Sequence, residues 1–120
     1  MSDDNKAILT QANTEVSKGD YEAFLSHCTD DTEWVFVGDR TLSGKEAVRQ
    51  YIKTTYLEPP QFTVTRLIVE DDFLIALGEI SIKDEAGKVV RSDYCDVWRL
   101  RDGKLAELKA YVIDITGQGR

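Results

Sequence analysis

The sequence predicts an α+β domain in which three helices pack on a long, curved antiparallel sheet. Three observations carry that prediction. Apolar residues recur at helical spacing near the start of the chain and again between 45 and 55. The second half is a succession of β-branched and aromatic runs separated by short Asp- and Gly-containing turns. Grouping of helices before strands, without regular alternation, marks α+β and not α/β. At 120 residues, 42% hydrophobic and 31% charged, the chain has the size and composition of one soluble domain, residues 1–120, able to bury a core without staples.

Asp3 and Asp4 offer an N-cap and favourable charge to a first helix that carries Ile8, Leu9, Ala12 and Val16. Gly19 is a natural stop. Asp20 caps a second helix, Tyr21 to Cys28, with Phe24, Leu25 and Cys28 on its apolar face. Thr29-Asp30-Asp31-Thr32 reads as a turn, Glu33 to Val37 as a strand with Trp34 and Phe36 on one face, and Gly38-Asp39-Arg40 as the next turn. Ser43 and Glu46 have capping-box spacing ahead of a third helix with Ala47, Val48, Tyr51, Ile52 and Thr55 in register. Pro59 and Pro60 forbid its continuation. Four strands follow, Phe62 to Val69, Phe73 to Ile82, Val89 to Leu100 and Leu105 to Ile115, joined by turns at Asp71-Asp72, Asp84 to Lys88 and Asp102-Gly103. The tail Thr116 to Arg120 is expected to fray.

Charge narrows the function classes. Fifteen Lys and Arg against 22 Asp and Glu give a formal net charge of −7, which argues against nucleic acid and anionic membrane surfaces. No apolar run reaches the ~20 residues of a membrane helix, and the acidic N-terminus lacks the features of a signal peptide, so the expected location is the cytoplasm. Cys28 and Cys95 form no metal or redox motif, and the single histidine, His27, has no ligand partners at recognisable spacing. Neither metal nor cofactor is implied. Cys28 and Cys95 read as buried small apolar residues, and His27 as a partly exposed helix residue.

The most informative stretch is Ser92 to Leu100. On a strand, Tyr94, Asp96, Trp98 and Leu100 share one face, and Cys95, Val97 and Arg99 the other. A carboxylate between two large aromatics must be paired, hydrogen-bonded, wetted by a cavity or protonated. Asp96 therefore lines a pocket, as a general acid or base or as an orienting group, or else it is a strut for Arg49, Arg66, Arg99 or the Tyr51 hydroxyl. Trp34, Phe36 and Trp98 are core residues or pocket walls. Glu79 is a second candidate acid, with a rim or dimer-face ion pair as the plainer reading.

Three segments, Gly19 to Phe24 with Asp30-Asp31, Leu42 to Val48, and Asp96 to Leu105, resemble the nuclear-transport-factor-2-like (NTF2-like) superfamily, and within it the SnoaL-like and ketosteroid-isomerase-like proteins. The resemblance implies a cystatin-like cone: three N-terminal helices on a curved antiparallel sheet that encloses a pocket for a small hydrophobic molecule. It also implies a homodimer through the convex sheet face. It places Trp34, Phe36, Tyr51, Tyr94, Asp96, Trp98, Leu108 and Val112 on the cavity side. Ketosteroid isomerase pairs an Asp base with an oxyanion hole of Tyr and protonated Asp. Here the base position falls at Phe36 and the Tyr position at Ala12, so only the acid at Asp96 is retained, and steroid isomerisation by that route is not expected. The Arg–Asp arrangement of epoxide hydrolase relatives has no counterpart between Phe73 and Ile82. Tyr111 and Asp114, three apart, point to different faces of a regular strand, which leaves Asp114 in doubt as a second pocket acid.

The expected function is a pocket protein with isomerase-, cyclase- or dehydratase-type acid–base chemistry at Asp96. The alternatives are a non-catalytic binding protein and a scaffold that works through the convex face, which carries Cys95, Val97 and alternate residues of Phe73 to Ile82.

Overall fold

The computed structural model describes residues 2–117. The elements run α1 (Ser2–Ser17), α2 (Tyr21–Ser26), β1 (Cys28–Phe36), β2 (Arg40–Ser43), α3 (Lys45–Thr55), β3 (Gln61–Glu70), β4 (Phe73–Lys83), β5 (Val89–Arg101) and β6 (Lys104–Asp114). The six strands form one curved, open sheet in the order β2-β1-β6-β5-β4-β3, antiparallel except where β1 lies parallel to β6. The three helices cover its concave face. Leu9, Ala12 and Val16 of α1, Phe24 and Leu25 of α2, and Val48 and Ile52 of α3 are buried against Trp34, Leu74, Trp98, Leu100, Leu105 and Leu108 from the sheet. Each such large apolar side chain contributes roughly 1.5–3 kcal/mol of burial.

Several local expectations need correction. Helix α1 begins at Ser2, so Asp3 and Asp4 lie in its first turn and not ahead of it. Asp20 does cap α2, accepting the Ala23 N–H at 3.2 Å, and Gly19 takes φ +79° to end α1. Helix α2 stops at Ser26, because Cys28 opens β1. The segment Thr29 to Thr32 is strand, not turn. Its pairing with β6 jumps from Cys28–Leu105 to Glu33–Glu107, and the buried Thr32 hydroxyl donates to the carbonyls of Leu105 and Ala106 at this irregularity. The capping box does not form. Ser43 belongs to the short strand β2, and Gly44, at φ +92°, occupies the cap position of α3 with no side-chain hydrogen bond. Thr116 is also held, since the Arg91 N–H donates to its hydroxyl at 2.9 Å; residues 118–120 lie outside the described residues.

Two devices shape the concave face. A bulge in β3 shifts the register between Val64 and Arg66, and the unpaired Thr65 donates its hydroxyl to the Leu77 carbonyl at 2.9 Å. Beside it, Gly78 leaves room for the Tyr94 ring across the sheet: a Cβ there would stand 2.7 Å from the Tyr94 hydroxyl and 2.1 Å from the Thr63 carbonyl oxygen. The Asp102-Gly103 hairpin has both residues at positive φ, as the right-handed strand twist favours. The other sheet face is left without a covering element among the described residues.

Candidate functional site

The helices and the concave face enclose a cavity of about 380 Å³. Strand alternation sets its wall. On β5, Ser92, Tyr94, Asp96 and Trp98 point inward, and the register places Asp96 between Ala76 of β4 and Ala110 of β6. These two alanines are the smallest side chains around the acid, so space opens above it. Trp98 lies one step deeper between Leu74 and Leu108, and Tyr94 one step outward between Gly78 and Val112. Strand β1 adds Trp34 and Phe36, and α3 adds Tyr51. All eight residues that the family resemblance placed on the cavity side line this cavity, Tyr51 from the helix side and the others from the sheet.

The aromatic rings form a connected surface. Trp34 packs edge-on against Trp98, Phe36 and Tyr51 with centroids 6.1, 6.2 and 6.4 Å apart, and Tyr51 continues to Tyr56 at 6.3 Å. The Trp34 indole N–H is buried without a hydrogen-bond acceptor among the described residues. Leaving such a donor unmade costs about 1–3 kcal/mol.

Asp96 is the electrostatic centre of the site. Its carboxyl is largely surrounded, with residual exposure toward the cavity, and desolvation raises its pKa to about 7. The strut reading does not hold. Arg49 is engaged by Glu22 and Glu46, Arg99 by Glu107, and Arg66 sits on the outer face. No hydrogen bond or ion pair reaches the Asp96 carboxylate among the described residues. Tyr51 is not its partner either, because that hydroxyl is associated with Thr55 and feels Arg40 and Asp39 near the mouth.

Tyr56 was not anticipated. It lies at the end of α3, four residues beyond Ile52, so the helical spacing of Val48 and Ile52 extended by one turn would have found it. Burial raises its hydroxyl above the ordinary tyrosine value, and Tyr51 and Asp96 add to the effect. Tyr94 is pushed up to about 12 by burial first and by Asp96 second. Both phenols are therefore neutral donors near the acid at physiological pH.

The remaining candidates separate by face. Asp114 falls on the cavity side but at the mouth, exposed and opposite Ser92, while Tyr111 points outward. Thr116 hydrogen bonds lower the Asp114 pKa. Glu79 is exposed on the outer face opposite Asp93 and is not a pocket acid. Cys28 is buried and its thiol is pushed up to about 12 by desolvation, whereas Cys95 is on the outer face and only half-buried. His27 is the C-cap residue of α2, with Nε2 2.8 Å from Glu15 Oε1. No helix of the described residues is long and apolar enough to cross a membrane.

Comparison with known proteins agrees with this architecture. The chain superposes on a putative SnoaL-like polyketide cyclase from Jannaschia sp. CCS1 with a TM-score of 0.83 at 13% identity, covering 93% of this chain and 87% of that one. It superposes equally well, TM-score 0.83 at 19% identity, on SalBIII, an epoxide hydrolase/cyclase-like enzyme with a role in pyran ring formation in the polyether salinomycin, over 91% and 90% of the two chains. An NTF2-like protein of unknown function from Burkholderia pseudomallei K96243 gives 0.81 at 16% identity, over 94% and 92%. At these identities the likeness is one of fold. No protein of curated function matches the sequence. The sequence matches the SnoaL-like domain over residues 9–108, and the chain belongs to that family of the NTF2-like superfamily.

Proposed function

We propose that this protein binds a small hydrophobic molecule in the cavity and moves protons on it through Asp96, in chemistry of the isomerase, cyclase or dehydratase kind. The observation that carries the proposal is a carboxyl unpaired among the described residues, with a pKa of about 7, on an aromatic wall between two alanines. A carboxyl so poised both takes and returns a proton at neutral pH. In the simplest step, the substrate is a ketone with a C=C bond one carbon removed from the carbonyl, and the carboxylate removes a proton from the carbon between them. The C–H electron pair becomes a new C=C bond as the carbonyl π pair moves to oxygen. When that pair returns, the old C=C bond takes the proton from Asp96 at its far carbon, which leaves the conjugated ketone. Tyr56 and Tyr94 are the neutral hydroxyl donors near it. The alternative is a binding protein in which Asp96 only orients the ligand.

The test is deuterium exchange into an apolar cyclic ketone such as 2-decalone in D2O, followed by NMR. Exchange above the buffer rate that collapses by at least about tenfold in Asp96→Asn supports proton transfer. Binding without exchange leaves the orienting role.

A second copy of the chain on the outer sheet face is also proposed. Ile113 is 66% exposed there, Phe73 47% and Ile68 45%, with Leu77, Cys95 and Tyr111 across the middle row. In a two-fold pairing about that row, the Glu79–Asp93 row of one copy meets the row of Val97 and Lys109 of the other, acid against base. Native mass spectrometry should give a dimer that Leu77→Lys converts to monomer; a wild-type monomer rejects it.

A further inference from the structure

This inference rests on the ligand-pocket part of the proposed function, builds on the alternative in which Asp96 orients the ligand, and concerns the ligand's polar end. Among the described residues the cavity lining carries three carboxyl groups, Asp96 in the interior and Asp39 and Asp114 at the opening, and no Lys, Arg or His; Arg40 stands beside the mouth, where it pairs with Asp39 at 3.6 Å. The chain as a whole bears −7, so its long-range field also favours cations and repels anions. Within the cavity Asp96 has no cationic partner among the described residues, because Arg49 and Arg99 are engaged elsewhere and Arg66 is turned outward. Trp34, Phe36, Tyr51, Tyr56, Tyr94 and Trp98 line the same cavity, and aromatic ring faces carry negative electrostatic potential. An aromatic enclosure with one uncompensated carboxylate is the chemistry that recognises an ammonium group.

We infer that the cavity selects an apolar molecule bearing a protonated amine, whose nitrogen pairs with Asp96 inside the aromatic wall, and that it rejects carboxylate and phosphate analogues of the same shape. Such a ligand supplies the counter-charge that the fold withholds. It gives the carboxylate a charge-assisted hydrogen bond and places its hydrocarbon body against Trp34 and Trp98.

Proton linkage follows with a definite sign. Below pH 7 Asp96 holds a proton that the incoming ammonium must expel, so amine affinity rises from pH 5 to pH 8, while binding of a neutral analogue is unaffected by this group. The groups facing Asp96 from the packed elements do not cancel this trend. Tyr51, Tyr56 and Tyr94 are raised tyrosines and stay neutral over that range, and Asp114, lowered by Thr116, stays ionised throughout it.

The experiment is isothermal titration of the full chain with 1-adamantanamine, 1-adamantanol and 1-adamantanecarboxylate, which share one apolar body. At pH 8 the amine is expected to bind about tenfold tighter than the alcohol, and the carboxylate weakest. In Asp96→Asn the amine-to-alcohol ratio should fall to near one with alcohol binding retained. Equal binding of amine and alcohol by the wild-type protein overturns cation selection while leaving the pocket intact. Loss of the preference in Asp39→Asn/Asp114→Asn but not in Asp96→Asn overturns the role of Asp96. Failure of all three compounds to bind removes the ligand-pocket reading as well.

Discussion

Asp96 and Asp114 are the same residue type on the same face of the same sheet, on neighbouring strands, yet their carboxyls move in opposite directions. Asp96 stands four residues along β5 from Ser92, the position that pairs with Asp114, a separation of about 13 Å along the strand. At the inner level the helices, Tyr56 and Tyr94 bury the carboxyl, and no hydrogen bond to it is made among the described residues, so the charged form of Asp96 is disfavoured. At the mouth Asp114 is open to solvent and accepts the Thr116 N–H at 2.8 Å, so its charged form is favoured. Depth and partners, not residue type or strand position, decide which acid is left available for chemistry. An enclosed face that spends all its polar groups on itself has nothing left to offer a ligand. This one leaves Asp96 and the Trp34 indole N–H unspent.

The largest expected effect comes from removing the charge of Asp96. Its folded-state pKa, about 7, lies above the ordinary value of 3.8, so the folded protein keeps a proton that the unfolded chain releases. Below about pH 4 both states are protonated and the group costs nothing. As pH rises from 4 to 7 the unfolded chain ionises first and stability is lost, reaching a constant penalty above pH 7 of at most about 4 kcal/mol. Asp96→Asn should therefore be more stable than the wild type at pH 8, by up to that amount less the cost of burying an amide. The difference should close at pH 4. Urea denaturation at the two pH values measures it. Parallel pH dependence in the two proteins would show that the carboxyl is solvated, and the contrast with Asp114 would disappear. A variant that is more stable and inactive is the signature of a site that gives up stability for function.

The parts of the site that depend on local periodicity alone were legible in the sequence. Tyr94, Asp96 and Trp98 share a face by strand periodicity, and the helical spacing of Val48, Tyr51 and Ile52 needed no tertiary information. Two of the misses depend on contacts distant in sequence. Thr29 to Thr32 has the composition of a turn, but β6 supplies a strand partner, and the Leu105 and Ala106 carbonyls take up the Thr32 hydroxyl. Ser43 has capping-box spacing, but it is drawn into β2 by pairing with Glu33. The absence of an arginine at Asp96 was illegible for the same reason, since Glu22 and Glu46, one of them on another helix, occupy Arg49. The role of Tyr56 was hidden because the proline pair after it suggested a loop, although its hydroxyl is close enough to feel Asp96.

The smallest effect sharpens the comparison from the other end. Asp114 has a folded pKa below its ordinary value, so it contributes stability above about pH 4 and loses that contribution as pH falls through its folded value. Asp114→Asn should lower stability slightly at neutral pH and converge with the wild type in acid, a trend of opposite sign to that of Asp96→Asn. Because the carboxyl is fully exposed, solvent screens most of the effect, and a change below the resolution of urea melts at pH 7 is within expectation. What must not appear is a gain in stability on neutralisation. That result would mean Asp114 is strained by the neighbouring cavity charge, Asp96 included. The two acids would then titrate as one coupled pair, and the mouth would no longer be electrostatically separate from the interior.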